Sequence, residues 1–209
     1  MRTATKGVLF DIGGVLVDLD GMPFLAALLK SAESREALHD RWMASKAVMA
    51  YEIGQIGEGE FAVRLTEELH LAIGPKAFLE AFRAWPRSVQ PGALDLIDRI
   101  PEGYLVAALS NMCAAHWERI AGLGLANRFG RTYLSFETGH LKPAPEAFKV
   151  ALAGMCMHPS EVLFFDDIDS NVDAAKSLGI DAYLTAGPDD VERILLDYEI
   201  IQMNGRAPS

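Results

Sequence analysis

Three apolar runs that stop abruptly on polar residues set the strongest limit on how this chain can fold. Val8-Leu9-Phe10 ends at Asp11, YLVAALSN ends at Ser110-Asn111, and EVLFFDD ends at Asp166-Asp167. Short, continuous apolar runs of this kind read as buried strands. The strands are expected at Val8 to Phe10, Tyr104 to Leu109, Thr132 to Leu134, Val162 to Phe165, and Ala182 to Thr185. Helical patterns lie between the last four: Met112 to Leu123, Pro145 to Met155, and Asn171 to Leu178, with Gly179 as a stop signal. Strands alternating with helices predict an α/β fold, a doubly wound parallel sheet with helices on both faces.

The stretch from Leu19 to Pro91 breaks this rhythm. Phe24, Leu25, Leu28 and Leu29 share one helical stripe. Phe61, Leu65 and Leu69 share another, and Phe78, Phe82 and Trp85 a third. Breaks fall at Ser31 to Ser34, Gly54 to Gly59, and Gly74-Pro75. The expectation is a four-helix insertion at 19–90, interrupting an α/β core made of 1–18 and 91–209. Aromatic stripes at this spacing read as packing rather than as a ligand site. No repeat or low-complexity segment occurs, and residues 204–209 are expected to form a frayed tail.

Composition narrows the partners. A chain of 209 residues, half of them hydrophobic and 23% charged, supports one large domain or a core with a smaller insertion. The net charge of −10 disfavours nucleic acid and anionic membranes as partners. It also repels anionic substrates, so a phosphate site needs local cations. Cys113 and Cys156 have no metal-binding spacing and read as buried free thiols of a reducing cytoplasm. MRTATKG lacks the apolar stretch of a signal peptide, and no segment is apolar for long enough to span a bilayer. The expectation is a soluble, cytoplasmic protein.

In a parallel sheet the polar strand ends lie along one edge, where ligands of open α/β folds bind. Each end alone has a bland reading: Asp11 as a helix N-cap, Ser110-Asn111 as a turn. Together they make poor structural sense without a ligand. Asp11, Asp166 and Asp167 would crowd carboxylates that raise one another's pKa unless a cation intervenes. An all-oxygen set suits Mg²⁺. Lys142, in GHLKPAPEAF, lies just before a helix that Pro145 is suited to open. It is either a solvated surface lysine or, beside the acids, a point charge that holds phosphate.

FDIGGVLVD, ALSN, LKPAPEAF and FFDDIDSNVDAAKSLG, in that order, resemble the motifs of the haloacid dehalogenase superfamily. The helical insertion is similar to that family's C1-type cap. YEIGQIGEGEF within it is similar to a stretch in bacterial α-D-glucose-1-phosphate phosphatases. The resemblance implies a Mg²⁺-dependent phosphatase acting on a small phosphate ester. Asp11 would be the nucleophile that forms an aspartyl-phosphate. Ser110 and the Asn111 backbone N–H at a helix start would bind phosphoryl oxygens, and Lys142 would neutralise nucleophile and phosphoryl group. Asp11, Asp166 and the carbonyl of Gly13 would hold the metal. Asp167 would support the metal shell and Asn171 would order the loop.

One position departs from the family's phosphatase pattern. The acid/base carboxylate expected two residues after the nucleophile is replaced by Gly13. Losing such a group costs about 10²–10⁴ in rate. Three readings stay open: a phosphatase favouring leaving groups that need little protonation, a metal-free 2-haloacid dehalogenase, and a catalytically weak phosphate-binding or regulatory protein. Asp18 and His140 are weighed as substitute acids; a hinge or cap role for Asp18 and a solvated loop role for His140 compete. Tyr51 and Glu52 could reach the site from the insertion, or pack and face solvent. A β-carbon at position 13 is expected to crowd the tight turn.

Overall fold

The computed structural model describes residues 4–19, 21–30 and 33–202. The strands are β1 (Gly7–Phe10), β2 (Val17–Leu19), β3 (Pro86–Val89), β4 (Leu105–Ser110), β5 (Arg131–Leu134), β6 (Val162–Asp166) and β7 (Asp181–Leu184). The helices α1 (Met22–Leu29), α2 (Arg35–Met43), α3 (Lys46–Glu52), α4 (Glu58–Glu68) and α5 (Pro75–Arg83) lie between β2 and β3. Then follow α6 (Ala93–Asp98), α7 (Ala114–Ala121), α8 (Ser135–Thr138), α9 (Pro145–Met155), α10 (Asp169–Ser177) and α11 (Pro188–Asp197).

β5, β4, β1, β6 and β7 form one sheet in that order, and every pairing is parallel. Successive side chains of a strand point to opposite faces, and both faces here are covered. Val8, Phe10, Ala108, Leu163 and Phe165 pack with α6, α7 and α11. Leu9, Ala107, Leu109, Val162 and Phe164 pack with α9 and α10. Burial on both sides is why these strands read as unbroken apolar runs. This is the expected α/β architecture. From β1 the chain order runs outward in both directions, which opens a crevice at the carboxyl ends of β4, β1 and β6.

α1 to α5 gather a separate apolar cluster around Leu25, Trp42, Phe61, Phe78, Phe82 and Trp85. The aromatic stripes of the insertion are therefore packing, as expected. Trp42 stacks on Phe82, and Tyr51 on Phe61 with ring centroids 4.4 Å apart. The described residues hold five helices here, not four, because the second expected helix is two. Ser45 caps α3 by accepting from Val48 N at 3.2 Å. Glu68 of α4 takes Ser45 Oγ at 3.0 Å and the N–H groups of Lys46 and Ala47 at 3.2 Å each. A carboxylate at a helix N-terminus satisfies its orphan donors. This one arrives from a distant helix, so local periodicity does not reveal the break.

β2 and β3 pair antiparallel at the root of the inserted helices, with Val17 opposite Val89 and Asp18 opposite Ser88. That ladder, α6 and α11 are additions to the sequence-based layout. Cys113 is buried, but Cys156 is exposed, contrary to expectation. Cys156 is the left-handed C-cap of α9 (φ 56°), which turns it off the helix's packed face. No helix among the described residues is long and apolar enough to cross a membrane. Ser31, Ala32 and the expected tail at 204–209 lie outside the described residues.

Candidate active site

Phe10 of β1 stands in register with Ala108 of β4 and Phe165 of β6. Asp11 N continues the ladder by donating to Phe165 O at 2.8 Å. Asp11 and Asp166, one residue further along, and Ser110, two residues further along, therefore come together at this edge, all buried. Lys142 joins them, 2% exposed, from the loop ahead of α9. Its Nζ lies 2.9 Å from Asp11 Oδ1 and 2.5 Å from Asp166 Oδ2. This settles the lysine: it is a buried cation between two acids, not a surface charge.

Asp166 is held by a full set of donors. Oδ1 accepts from Ile168 N at 2.9 Å and from Asn171 Nδ2 at 3.0 Å, and Asn171 Nδ2 also lies 3.2 Å from Oδ2. Asn171, in the first turn of α10, thus orders the acid directly. Asn111 holds the lysine loop. Its Oδ1 accepts from Lys142 N at 2.8 Å, and its Nδ2 donates to Lys142 O at 2.9 Å. α7 begins only at Ala114, with Cys113 as N-cap, so Asn111 stands ahead of the helix rather than at its start. Its side chain is a clamp on the loop that carries the cation.

Burial raises the Asp11 carboxyl; the Lys142 ammonium opposes that, Asp166 adds to it, and hydrogen bonds from Lys142 and Ser110 draw it back down, leaving it above its ordinary value. Burial alone would lower Lys142, but Asp11 and Asp166 outweigh it and keep the lysine charged. Asp167 faces solvent in the crevice, yet partial burial, then Asp11 and Asp166, push its carboxyl up to about 7. Three carboxylates thus meet one ammonium, a surplus of negative charge when all are ionised.

That surplus is the local test for a metal. One oxygen from each of Asp11, Asp166 and Asp167 lies within 4.8 Å of the others. Asp11 Oδ1 is sealed from solvent and faces the Lys142 ammonium at 2.9 Å, and that one cation is shared with Asp166. Three carboxylates around one ammonium, all offering oxygen, fit a hard divalent cation.

The two glycines of FDIGG differ. Gly14 has φ +74°, and a Cβ there would stand 1.9 Å from Asp167 Oδ2. Gly13 has no such constraint: a Cβ would meet only Leu19 atoms, at 3.8 Å. The expected crowding at position 13 is therefore overturned, because the turn's tight point is Gly14.

A cleft of about 1060 Å³ opens over the site, between the sheet edge and α1 to α3 and α5. Glu52, Trp42, His116 and Gln90 line it together with Asp11, Ser110, Lys142 and Asp167. Gln90 Nε2 donates to Gly14 O at 2.6 Å, tying the end of β3 to the turn after Asp11. Ser135 Oγ accepts from Met112 N at 2.9 Å and donates to Glu52 O at 2.6 Å. Sequence reasoning missed Gln90, Ser135, Trp42 and His116, whose contacts are all distant in the chain. Asp18 borders the cleft but sits in the β2–β3 ladder, 3.9 Å from Arg87. His140 is exposed and outside the cleft lining. Tyr51 is packed among aromatics, while its neighbour Glu52 faces the cleft.

A doubly wound sheet with an acid–lysine constellation at its carboxyl edge defines an α/β protein with a ligand site at the switch point of the sheet. The chain belongs to the haloacid dehalogenase-like hydrolases, whose family profile matches residues 5–179. Its sequence is 28% identical over 187 residues to a D-ribitol-5-phosphate phosphatase of Bacteroides thetaiotaomicron, covering 85% of this chain and 90% of that one. It is 26% identical over 190 residues to a phosphorylated carbohydrates phosphatase of Thermotoga maritima, covering 84% and 82%. The fold matches a haloacid dehalogenase family enzyme of Bacteroides thetaiotaomicron solved with magnesium and inorganic phosphate. That match has a TM-score of 0.71 and 28% identity, covering 87% of this chain and 94% of the other.

Proposed function

We propose that the protein is a Mg²⁺-dependent phosphatase for small phosphorylated polyols or sugars. The observation that carries this is the buried Lys142 ammonium held between Asp11 and Asp166, with Asp167 completing a cluster of three carboxylates beside it. Asp11, Asp166 and Asp167, with the Gly13 carbonyl, would hold the metal. When bound, Mg²⁺ supplies positive charge against the phosphoryl oxygens. The magnesium and phosphate bound by the Bacteroides enzyme support this assignment. The activities of the two curated relatives support the substrate class.

The chain's own groups divide the reaction. An Asp11 carboxylate oxygen attacks phosphorus while the ester P–O bond breaks, giving an aspartyl-phosphate and a leaving alkoxide. Ser110 donates to a phosphoryl oxygen. Lys142 favours the ionised form of Asp11 against the effect of burial and faces the charge that moves onto phosphorus. Water then attacks phosphorus, the acyl phosphate bond breaks, and Asp11 returns with inorganic phosphate. Gly13 offers no proton to the alkoxide, so rates should fall steeply as leaving-group pKa rises. We assign residues 19–90 as a cap that closes over the site about the β2–β3 ladder, excluding water and choosing substrate.

The test is phosphate release from a panel of sugar and polyol phosphates and p-nitrophenyl phosphate, with Mg²⁺ and with EDTA. Activity is expected with Mg²⁺ only, and Asp11→Asn should abolish it. Turnover that persists in EDTA or in Asp11→Asn would sink the reading. Metal-free halide release from 2-chloropropionate would make the chain a dehalogenase. Tight phosphate binding with no turnover would make it a regulatory binder.

A further inference from the structure

We propose that Glu52 is the group that reads the substrate's hydroxyls, an assignment that rests on the phosphatase reading above. Glu52 ends α3 and lines the cleft that Asp11, Ser110 and Lys142 also line. Its placement is fixed by a staple. Ser135 Oγ donates to Glu52 O and accepts from Met112 N, two residues past Ser110. The end of α3 is thereby pinned to the loop that leaves the phosphate-binding strand. The Glu52 charge is felt at Cys113, in that same loop.

The carboxylate is incompletely satisfied. The Trp42 side chain bonds to it, but Oε2 is sealed from solvent with no hydrogen-bond partner among the described residues. Burial pushes its carboxyl up to about 7, which is how an acid short of donors behaves. A carboxylate is an acceptor only until protonated, so the missing partner is an O–H or N–H donor. A hydroxyl on the part of the substrate beyond the phosphate supplies it once the half-buried carboxylate turns toward the cleft that Glu52 lines. A second anionic group there would meet Glu52 with like charge. The chemical class selected is a neutral polyhydroxy chain or ring carrying one phosphate, and bisphosphates and carboxylates are rejected.

The experiment measures kcat and KM for wild type, Glu52→Gln and Glu52→Leu with Mg²⁺, using ribitol 5-phosphate, glucose 1-phosphate and p-nitrophenyl phosphate. The last has no hydroxyl to read. Hydrogen bonds to a charged group imply a discrimination of about 10–100-fold. The ratio of kcat/KM for the better hydroxylated ester over p-nitrophenyl phosphate should fall by about 10-fold in Glu52→Gln and about 100-fold in Glu52→Leu, mainly through KM. An unchanged ratio overturns the proposal, including the case of a variant that loses all esters equally. Wild-type turnover of p-nitrophenyl phosphate alone overturns it and leaves the phosphatase reading standing. If wild type cleaves no ester, the phosphatase reading falls, and calorimetry with ribitol 5-phosphate decides on Glu52. At least tenfold weaker binding by Glu52→Leu than by wild type supports it; equal or absent binding overturns it.

Discussion

Gly13 and Gly14 adjoin each other, yet opposite constraints act on them. Gly14 combines a positive φ with a backbone that Asp167 presses against. Gly14→Ala should cost about 1–3 kcal/mol from backbone strain alone, and it should displace Asp167. Thermal melts and the Mg²⁺ dependence of turnover check both effects. Gly13 has room for a side chain. Gly13→Asp should fold, supply the absent proton carrier, and speed cleavage of poor leaving groups by about 10²-fold. A series of aryl phosphates gives the readout: an unaltered dependence on leaving-group pKa would show that protonation is not what Gly13 limits. The motif FDIGG shows which carboxylate is missing; it does not show which glycine is obligatory, since that depends on Asp167 far along the chain. Glu52 carries a separate pH signature. Its folded pKa of about 7 lies above the reference 4.5. The folded chain therefore holds a proton that the unfolded chain has released, and stability falls as pH rises from about 4.5 through 7. The full shift corresponds to at most about 3 kcal/mol, and partial exposure of the side chain lowers that. Glu52→Gln should raise Tm by about 2–6 °C at pH 8.5 and leave it nearly unchanged at pH 5. A gain of equal size at both pH values would exclude ionisation as its cause.

Elements whose signal is local were legible in the sequence; those defined by a distant partner were not. The five sheet strands carry their burial in their own residues, and α9 announces itself through Pro145. The α2/α3 break depends on Glu68 reaching back to Ser45, and β2 and β3 exist only as each other's partner across five helices. The site divides the same way. Asp11, Ser110, Lys142 and Asp166 sit at strand ends or a helix entry, where motif and topology both point. Ser135 gives no such sign, although it joins three segments through one hydroxyl: the loop after β4, the start of α8 and the end of α3. Ser135→Ala leaves Met112 N, in a buried setting, and Glu52 O, in a part-buried one, without that partner, and should cost about 1–3 kcal/mol. The functional loss should exceed the stability loss, because in the proposed reading the staple registers Glu52 over the phosphate site. KM for a polyol phosphate measured well below the variant's melting temperature separates the two. A KM equal to wild type would mean that α3 is positioned by its apolar packing alone.

At the scale of the whole molecule, the chain already carries a net charge of −10, and it gathers three of its acids at one point of the sheet edge. Asp11 follows β1, Asp166 ends β6 and Asp167 follows it, so their mutual repulsion acts across two adjacent strands of the sheet. Lys142 offsets only part of it. A divalent cation bound there joins those strands through the folded state, and the unfolded chain has no such site. Binding to the folded form alone stabilises by RT ln(1 + [L]/Kd), about 2.7 kcal/mol at one hundred times Kd. For a chain of this length that raises Tm by about 5–10 °C. Melts in EDTA and in MgCl₂, with ionic strength matched by NaCl, should show the rise for magnesium only. Asp167→Asn removes one repelling charge, so it should melt higher than wild type in EDTA and respond less to magnesium. If NaCl produced the same rise as MgCl₂, the effect would be general screening of the acidic surface. A specific rise that Asp167→Asn blunts would instead place the ion among these three carboxylates.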